Sequence, residues 1–546
     1  MAKHAVAAVD EIPPGGRKIV DLEGRSIGVF NVAGEFYAIR NTCPHQGGPL
    51  CGGVLTGFVI SDEPGRYQYL RRGEVVRCPW HGWEFDIKTG MSWVDPKRIR
   101  VKRYPVTLQE VTSDPPDAAV NSRELREAGH TEGPYRAETY PVSVDVVKRL
   151  VIVELLLRVV RRQWKALRPN PRRTSMPEPA SGTLRYQRGM PVVDADVHVA
   201  IPRIAALYPY LSEHWHDTLI ESGVASLEVN TYPRGCDFSA RPDARPDSPG
   251  LPPGSSLEVV QRQLLDPWNV EVAVALCDYG THILHNEDLA VAVARAVNDF
   301  LADQWLSRDT RMRGSISVCT ERASPAVAEI ERLARRPEFV QVALPVRSQH
   351  PYGKRLYWPI YEAAERRGLA VAIYAGGGIG NPITPVGWPS YYLEDYVSFA
   401  QAFQSQLLSL VTEGVFVKYP KLKVVFVDSG FTWIPPLMWR LDKNWKGTRR
   451  EVPWIDRLPS DMIREHLRVT IQPLDLPNAE RAEQVLEHLG SDEMLLFGTD
   501  YPHWQFDDPA EAWPYPLVPA SLDRLLRSNA VVTYDLDRQV TMAPDR

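Results

Sequence analysis

Apolar and polar positions change their period partway along the chain. In the first part, EFYAIRNTCPH and GEVVRCPWHGWEFDIKTG each read as strand, loop, strand, and GRYQYLRRGE between them reads as an added hairpin. KRYPVTL and TYPVSVDVVKRLVIVEL read as closing strands, interrupted by residues 107–138, a polar stretch rich in Pro, Asp and Glu that predicts a surface excursion. From Val192 the pattern becomes short β-branched runs alternating with helical segments, which predicts parallel βα units. Eight candidate strands follow: VVDADV, VEVAVAL, RGSISV, FVQVAL, LAVAIYA, LKVVFVD, LRVTIQ and MLLFGTD. Between them, DLAVAVARAVNDFLADQWL and SPAVAEIERLARR carry apolar residues at three- and four-residue spacing, the helical period. Eight strands with intervening helices over about 350 residues predict an α/β TIM (β/α)8 barrel with insertions. A doubly wound sheet is the competing layout. It lacks a glycine fingerprint after the first strand, and GGGIG at 376–380 follows the fifth strand without a G-x-G-x-x-G register.

At 546 residues the chain is too long for one ordinary core and is expected to be multidomain. The pattern predicts an all-β domain over residues 1–156, a linker over 157–190 and the barrel over 191–546. The segment RRQWKALRPNPRRTSMPEPASG, with its prolines and basic residues, fits a solvated linker. Lysine and arginine number 63 against 68 acidic residues, a net charge of -5, so no basic excess points to nucleic acid. Six cysteines are few for this length, and a reducing, cytoplasmic location is expected. The N-terminal MAKHAVAAVDEIPPGG has no apolar signal core and no twin-arginine pair. The most apolar helix candidate, VVKRLVIVELLLRVVRRQW, contains Lys148, Arg149 and Glu154 and is not expected to enter a membrane.

Two short boxes carry the sharpest chemistry. CPHQGGPL holds Cys43 and His45, and RCPWHGWEFD holds Cys78 and His81. Two thiolates for one iron and two imidazoles for the other is the ligand set of a Rieske 2Fe-2S cluster, so this part of the chain is expected to handle electrons. Gly47, Gly48 and Gly82 permit the loop backbone to turn around the sulfides. Two Cys and two His also make a tetrahedral zinc set, but the C-x-H and C-x-x-H order and the Gly-Gly-Pro-Leu tail argue against zinc. Residues 1 to about 156 thus resemble a Rieske ferredoxin-type domain. The 32 residues between His45 and Cys78 make a longer spacing than the family leads one to expect. Some Rieske proteins link their ligand loops by a disulfide. Here Trp80 stands where the extra cysteine would, Cys51 has no partner in the second box, and the lower-potential ferredoxin type is the better match.

In a barrel, chemistry sits at the C-terminal ends of the strands. The first strand ends Asp194-Ala-Asp196-Val-His198, and alternation points Asp196 and His198 to one side. The eighth ends GTD500-Tyr-Pro-His503. Asp196, His198 and Asp500 converging at the mouth would make a mixed nitrogen and oxygen set suited to a divalent ion, zinc or manganese. Asp500 and His503 are the candidate catalytic residues.

D-A-D-V-H and G-T-D-Y-P-H resemble the amidohydrolase-related family that includes aminocarboxymuconate-semialdehyde decarboxylase and the resorcylate decarboxylases, over about residues 192–535. The resemblance implies that Asp196 and His198 bind the metal and that Asp500 acts at the metal and in proton transfer. It also marks departures. Tyr374 stands where the family supplies a metal-binding His on strand five, and Asp428 stands where the decarboxylase has a catalytic His on strand six. A neutral phenol is a poor ligand. His350, or His282 and His285, are candidate replacements. GWPSYYLEDY and the histidines at 214 and 216 are expected to build walls.

Three functions follow for comparison. One is a metal-dependent lyase, a decarboxylase, or hydrolase of a small carboxylated or cyclic substrate, with the cluster as redox partner or sensor. Another is an electron-transfer protein whose barrel only binds. The weakest is a Rieske oxygenase, because no two-His, one-carboxylate iron triad shows the expected spacing. A small-molecule substrate, an electron-transfer partner and a homo-oligomer are the expected associations, with neither nucleic acid nor membrane.

Overall fold

The computed structural model describes residues 2–44, 47–63, 66–80, 83–92, 139–140, 142–145, 150–155, 183–187, 189–227, 240–246, 250–377, 387–448, 451–503 and 512–537. The chain divides into two compact units, residues 1–176 and 177–546. The polar insertion at 107–138 and residues 157–182 of the expected linker lie outside the described residues.

The described part of the first unit is all β: β1 (Ala2–Ala8), β2 (Arg17–Leu22), β3 (Arg25–Val32), β4 (Glu35–Arg40), β5 (Val54–Glu63), β6 (Arg66–Arg77), β7 (Glu84–Asp86), β8 (Thr139–Tyr140), β9 (Val142–Asp145) and β10 (Leu150–Leu155). They form three sheets, β1-β10-β9, β2-β3-β4-β8 and β5-β6-β7. Alternation along β3 and β4 separates two small cores: Ile27, Val29 and Ala38 face one, and Phe30, Val32 and Ile39 face the other. The second core also contains Cys43, Cys78, Val76 and Phe85.

Two details differ from the pattern reading. GRYQYLRRGE is not a separate hairpin: β5 and β6 are one long antiparallel pair from Val54↔Arg77 to Glu63↔Arg66, with register irregularities on the way. The apolar run after residue 145 is not helical where it is described. Leu150–Leu155 is β10, pairing with β1 and β9 through a β-branched Val-Ile-Val stretch. The rest of that helix candidate, 156–164, lies outside the described residues. Among the described residues no helix is long and apolar enough to cross a membrane.

The second unit is a closed parallel barrel. Its strands are β11 (Val192–His198), β12 (Val270–Leu276), β13 (Met312–Ser317), β14 (Phe339–Arg347), β15 (Ala370–Gly377), β16 (Val424–Val427), β17 (Leu467–Thr470) and β18 (Leu495–Leu496), each beside its neighbour in sequence. Closure runs through Ala195 N to Phe497 O at 2.9 Å and His198 N to Tyr501 O at 2.7 Å. Val193, Ala195, Leu276, Ala372, Val427 and Leu496 fill the inside of the barrel. Val192, Ala275, Val342, Ile373 and Phe426 point outward to the helical layer, the two-sided burial that parallel strands require. Helices Glu287–Leu301, Ala323–Leu333, Trp358–Arg367, Tyr392–Thr412, Ile434–Thr448 and Ala479–Leu489 fall between strands. Their ends follow local rules. Asn286 caps the first by accepting from Leu289 N at 3.1 Å, and left-handed Gly368 and Gly490 terminate two others.

Candidate functional site

Each cysteine box begins a tight loop at the end of a strand. After β4, Cys43 N donates to Gly48 O and Gly47 N donates to Cys43 O, both at 2.8 Å. After β6, Cys78 N donates to Trp83 O at 2.7 Å. Gly47 has φ +88, which a side chain would resist, and a Cβ on Gly48 would lie 2.8 Å from Trp80 Cδ2. The two loops therefore pack directly on one another. Cys43 and Cys78 are both 2% exposed in one apolar core. His45 and His81 lie outside the described residues. The cysteine half of the ligand set fits an iron-sulfur cluster: two buried cysteines on touching loops within a dry shell. Cys51 is a separate buried thiol, its Sγ 3.8 Å from Ile39 O, and burial pushes its pKa up to about 12. No disulfide joins the described cysteines.

Packing of these loops makes a first prediction. A Cβ on Gly53 would lie 1.9 Å from Arg77 O, at the residue before Cys78, whereas one on Gly52 would meet nothing within 4 Å. Gly53→Ala is expected to destabilise the cluster unit by about 2 kcal/mol or more and Gly52→Ala by much less. Urea unfolding followed by the visible absorbance of the cluster measures both. Equal midpoints would contradict the packing.

At the barrel mouth, acidic residues crowd around one imidazole. His198 Nε2 lies 3.1 Å from Asp196 Oδ1 and 3.3 Å from Asp500 Oδ1. His503 Nε2 is 4.0 Å from the same Asp500 oxygen, and its ring meets that of His198 edge-on at 5.0 Å. Thr470 Oγ1 donates to Asp196 Oδ2 at 3.0 Å and accepts from Asp428 N at 3.0 Å, tying three strand ends together. Asp194, one pleat below, accepts from Thr499 N at 3.1 Å and Thr499 Oγ1 at 2.6 Å. Asp428 and Asp500 hold left-handed backbone, φ 56 and 55, a conformation that Asp tolerates better than most residues and that collects at functional sites.

The charge balance at this point is unsatisfied. Asp428 Oδ1 and both oxygens of Asp500 are buried without a hydrogen bond. Burial, with repulsion from Asp196, pushes the Asp500 carboxyl up to about 7, although His198 works against the rise. Burial and the charges of Asp500 and Asp196 drive Asp428 well above the carboxylate range. Burial opposes charge on His198 but is overcome by Asp196 and Asp500, so its pKa lies well above the ordinary value. His503 goes the other way, lowered to about 3 by burial and by His198. Buried acids converging on a single imidazole nitrogen is a donor set short of positive charge, which a divalent cation would supply. One donor atom each from His198, Asp500 and His503 lies within 4.8 Å of the others. The donor set thus fits a metal ion, and Asp196, its Oδ1 3.1 Å from His198 Nε2, offers a further carboxylate donor beside it.

A cavity of about 250 Å³ opens on this cluster. His198, Asp428 and His503 line it, whereas Asp500, 1% exposed, stands just behind the two histidines. Tyr392, Tyr396 and Phe399 of helix Tyr392–Thr412 form an aromatic wall, so part of GWPSYYLEDY does build walls; Trp388 and Tyr391 are exposed. Tyr374 is buried and hydrogen-bonds Asp278, and burial together with that carboxylate holds its phenol well above the ordinary value. It is a neutral group turned to Asp278, outside the His198, Asp500 and His503 group. His350 and His285 are exposed in their loops. His282 is buried, 3.6 Å from Asp278 Oδ1. His214 and His216 lie on the exposed helix Glu213–Glu221, where His216 packs edge-on against Tyr208.

Two cavity residues have no counterpart among the expected ones. Arg347 ends β14, donates from Nη2 to Asp395 Oδ1 at 2.7 Å, and stacks over Phe399 at 3.7 Å. Asp278 follows β12. The signal for both in the sequence is the same that marks Asp196: a charged residue closing an apolar strand at the catalytic end of a barrel.

Residues 193–536 match the family model described as Amidohydrolase, and residues 2–105 match the Rieske [2Fe-2S] domain. The gamma-resorcylate decarboxylase of Rhodococcus jostii (strain RHA1) is 25% identical over 330 residues, which are 55% of this chain and 97% of that protein. The ferredoxin component of the naphthalene 1,2-dioxygenase/salicylate 5-hydroxylase systems of Ralstonia sp is 30% identical over 105 residues, 19% of this chain and 86% of that protein. The biphenyl dioxygenase ferredoxin subunit of Pseudomonas sp. (strain KKS102) is 31% identical over 103 residues, 19% and 80% respectively.

Proposed function

The chain belongs to the amidohydrolase family and carries a Rieske [2Fe-2S] domain ahead of its barrel, and on that premise we propose that the barrel is a metal-dependent decarboxylase of a small ring carboxylate. The observation that carries this reading is the crowding of Asp196, Asp428 and Asp500 around His198 at the mouth of an aromatic-walled cavity. The gamma-resorcylate decarboxylases that share the barrel support it over a hydrolase.

Asp196, His198 and Asp500 would hold the divalent ion, with His503 adjoining. When bound, that ion supplies a Lewis acid for a substrate carboxylate or carbonyl. The remaining work falls to the chain's own groups. Tyr392, Tyr396 and Phe399 hold the ring flat and exclude water. Asp500 moves the proton that replaces the departing carboxyl on carbon, and His503, which faces the cavity 4.0 Å away, orients the substrate. Thr470 holds Asp196 in place.

None of these steps changes an oxidation state, so the cluster is a redox partner or sensor and Cys43, His45, Cys78 and His81 are its ligands in this reading. The likeness of residues 2–105 to ferredoxin components supports exchange of electrons with a second protein.

The test uses the full chain. Wild type supplied with manganese or zinc is expected to hold about one divalent ion beyond the cluster iron and to release CO2 from a ring carboxylate such as 2,6-dihydroxybenzoate. Asp196→Ala combined with His198→Ala is expected to lose that ion and the CO2 release while keeping the cluster colour. A double variant that retains the ion would refute the site. A metal-loaded wild type that releases no CO2 from any ring carboxylate offered would refute the reaction.

A further inference from the structure

Helix Tyr392–Thr412 is covered on one side and bare on the other. Tyr392, Tyr396 and Phe399 fall on the covered side and line the cavity. Leu393, Val397, Gln401 and Ser405, each four residues beyond the last, make a stripe along the opposite side, and all four are exposed. Leu393 and Val397 are 73% and 65% exposed, and Trp388 and Tyr391, just ahead of the helix, are each more than half exposed. Single exposed apolar residues are ordinary, whereas this group at one helix end makes a patch.

The stripe beyond it is uncharged. The acidic residues of this helix sit in its first turn: Glu394, which accepts from Ser390 N at 2.9 Å, and Asp395, buried and bonded to Arg347. No residue from 396 to 412 is charged, in a chain that is 24% Asp, Glu, Lys and Arg. The other helices named between the strands each carry both acidic and basic residues. A helix side that faces water is ordinarily charged, and loss of charge around exposed aromatic and aliphatic side chains is the composition of an interface core.

A lipid surface is a poor occupant, because helices that lie on membranes carry Lys or Arg along their polar side and the charges here are acidic. A strongly charged partner would meet no counter-charge. A second copy fits. Two neutral stripes laid antiparallel about a twofold axis at Val397 set Leu393 against Gln401 and Glu394 against Ala400, so no like charges meet. The four apolar side chains offer on the order of 400 Å² per copy. Counted on both copies and extended by Gln401 and Ser405, the contact approaches the roughly 1,200 Å² at which stable interfaces begin. We propose that this chain forms a homodimer through the outer side of helix Tyr392–Thr412, with the twofold axis near Val397. Each copy then backs the helix that carries the other's aromatic wall. The contact holds whatever reaction the barrel performs.

Sedimentation equilibrium of the full chain tests this. Wild type at micromolar concentration is expected at twice the 61.6 kDa of one chain. Val397→Lys, which sets two ammonium groups against each other across the axis, is expected to weaken the dimer at least about a hundredfold, and Val397→Glu to do the same. Mixing the two variants is expected to restore the dimer, because position 397 then pairs opposite charges. Val532→Lys, at a comparably exposed valine on helix Asn529–Tyr534, is expected to leave the dimer intact. Circular dichroism and the cluster colour report folding. Should the position 397 variants not fold, Gln401→Lys exchanges one exposed polar residue for another on the same stripe and is expected to weaken the dimer about tenfold. A monomeric wild type, a dimer as tight in folded Val397→Lys or Gln401→Lys as in wild type, or a mixture that stays monomeric would each overturn the proposal.

Discussion

Cys78→Ser is expected to yield a colourless protein. Wild type should be reddish-brown, hold about two irons and two labile sulfides per chain, and give a Rieske-type electron paramagnetic signal on reduction, and all three should vanish in the variant. The size of the effect follows from the site. Cys78 is 2% exposed, begins the loop that closes on Trp83, and shares its core with Cys43. A serine hydroxyl is a harder and less acidic donor than a thiol, so one iron loses half of its thiolate pair. The loops pack on each other through Gly48 and Trp80. Cys51 in the same core is held as a neutral thiol by burial. Stoichiometric zinc in the wild type without labile sulfide would overturn the cluster assignment. Residual colour in Cys78→Ser would overturn the ligand assignment alone.

Asp500→Asn is expected to lower decarboxylation by about a hundredfold or more, the usual weight of a positioned proton-transfer group. The amide keeps the shape of the side chain and removes the charge that lies 3.3 Å from His198 and 4.0 Å from His503. Cys43→Ser, by contrast, should leave turnover largely intact, because no step of the proposed decarboxylation consumes an electron. Steady-state CO2 release by the two variants, with circular dichroism confirming folding, gives the comparison. Asp500→Asn within a few-fold of wild type would remove Asp500 from proton transfer. Loss of turnover in folded Cys43→Ser, with an oxidised product, would make the barrel half of an oxidoreductase.

Much of this architecture is legible in local sequence because its signals are local. The eight β-branched runs need only a period of two and short helices between them to be recognised, and all eight are strands of one parallel sheet. The ligand boxes place Cys43 and Cys78 within a few residues of turn-making glycines, so the loop chemistry is written where the loop is. Asp196 and His198 are two residues apart on β11, and alternation alone puts them together, as the 3.1 Å contact shows. Where the signal was ambiguous, longer-range pairing decided it. The apolar run at 150–155 suits a helix or a strand by composition, and it is a strand because β1, some 145 residues earlier, lies alongside it.

Residue order alone carries the two-part layout, the cluster boxes, the barrel strands and the acidic and imidazole residues at the strand ends. Tertiary structure decided which of those groups meet. His503 joins His198 across 305 positions only because β18 closes against β11, and Thr470 reaches Asp196 across 274 for the same reason. Arg347 finds Asp395 48 residues on, and Tyr374 turns to Asp278 from a strand that is not its neighbour in the sheet. The physical reason is that periodicity records which face of an element is apolar. It does not record the closure of the barrel, which sets the distances between strand ends and crowds buried carboxylates around His198.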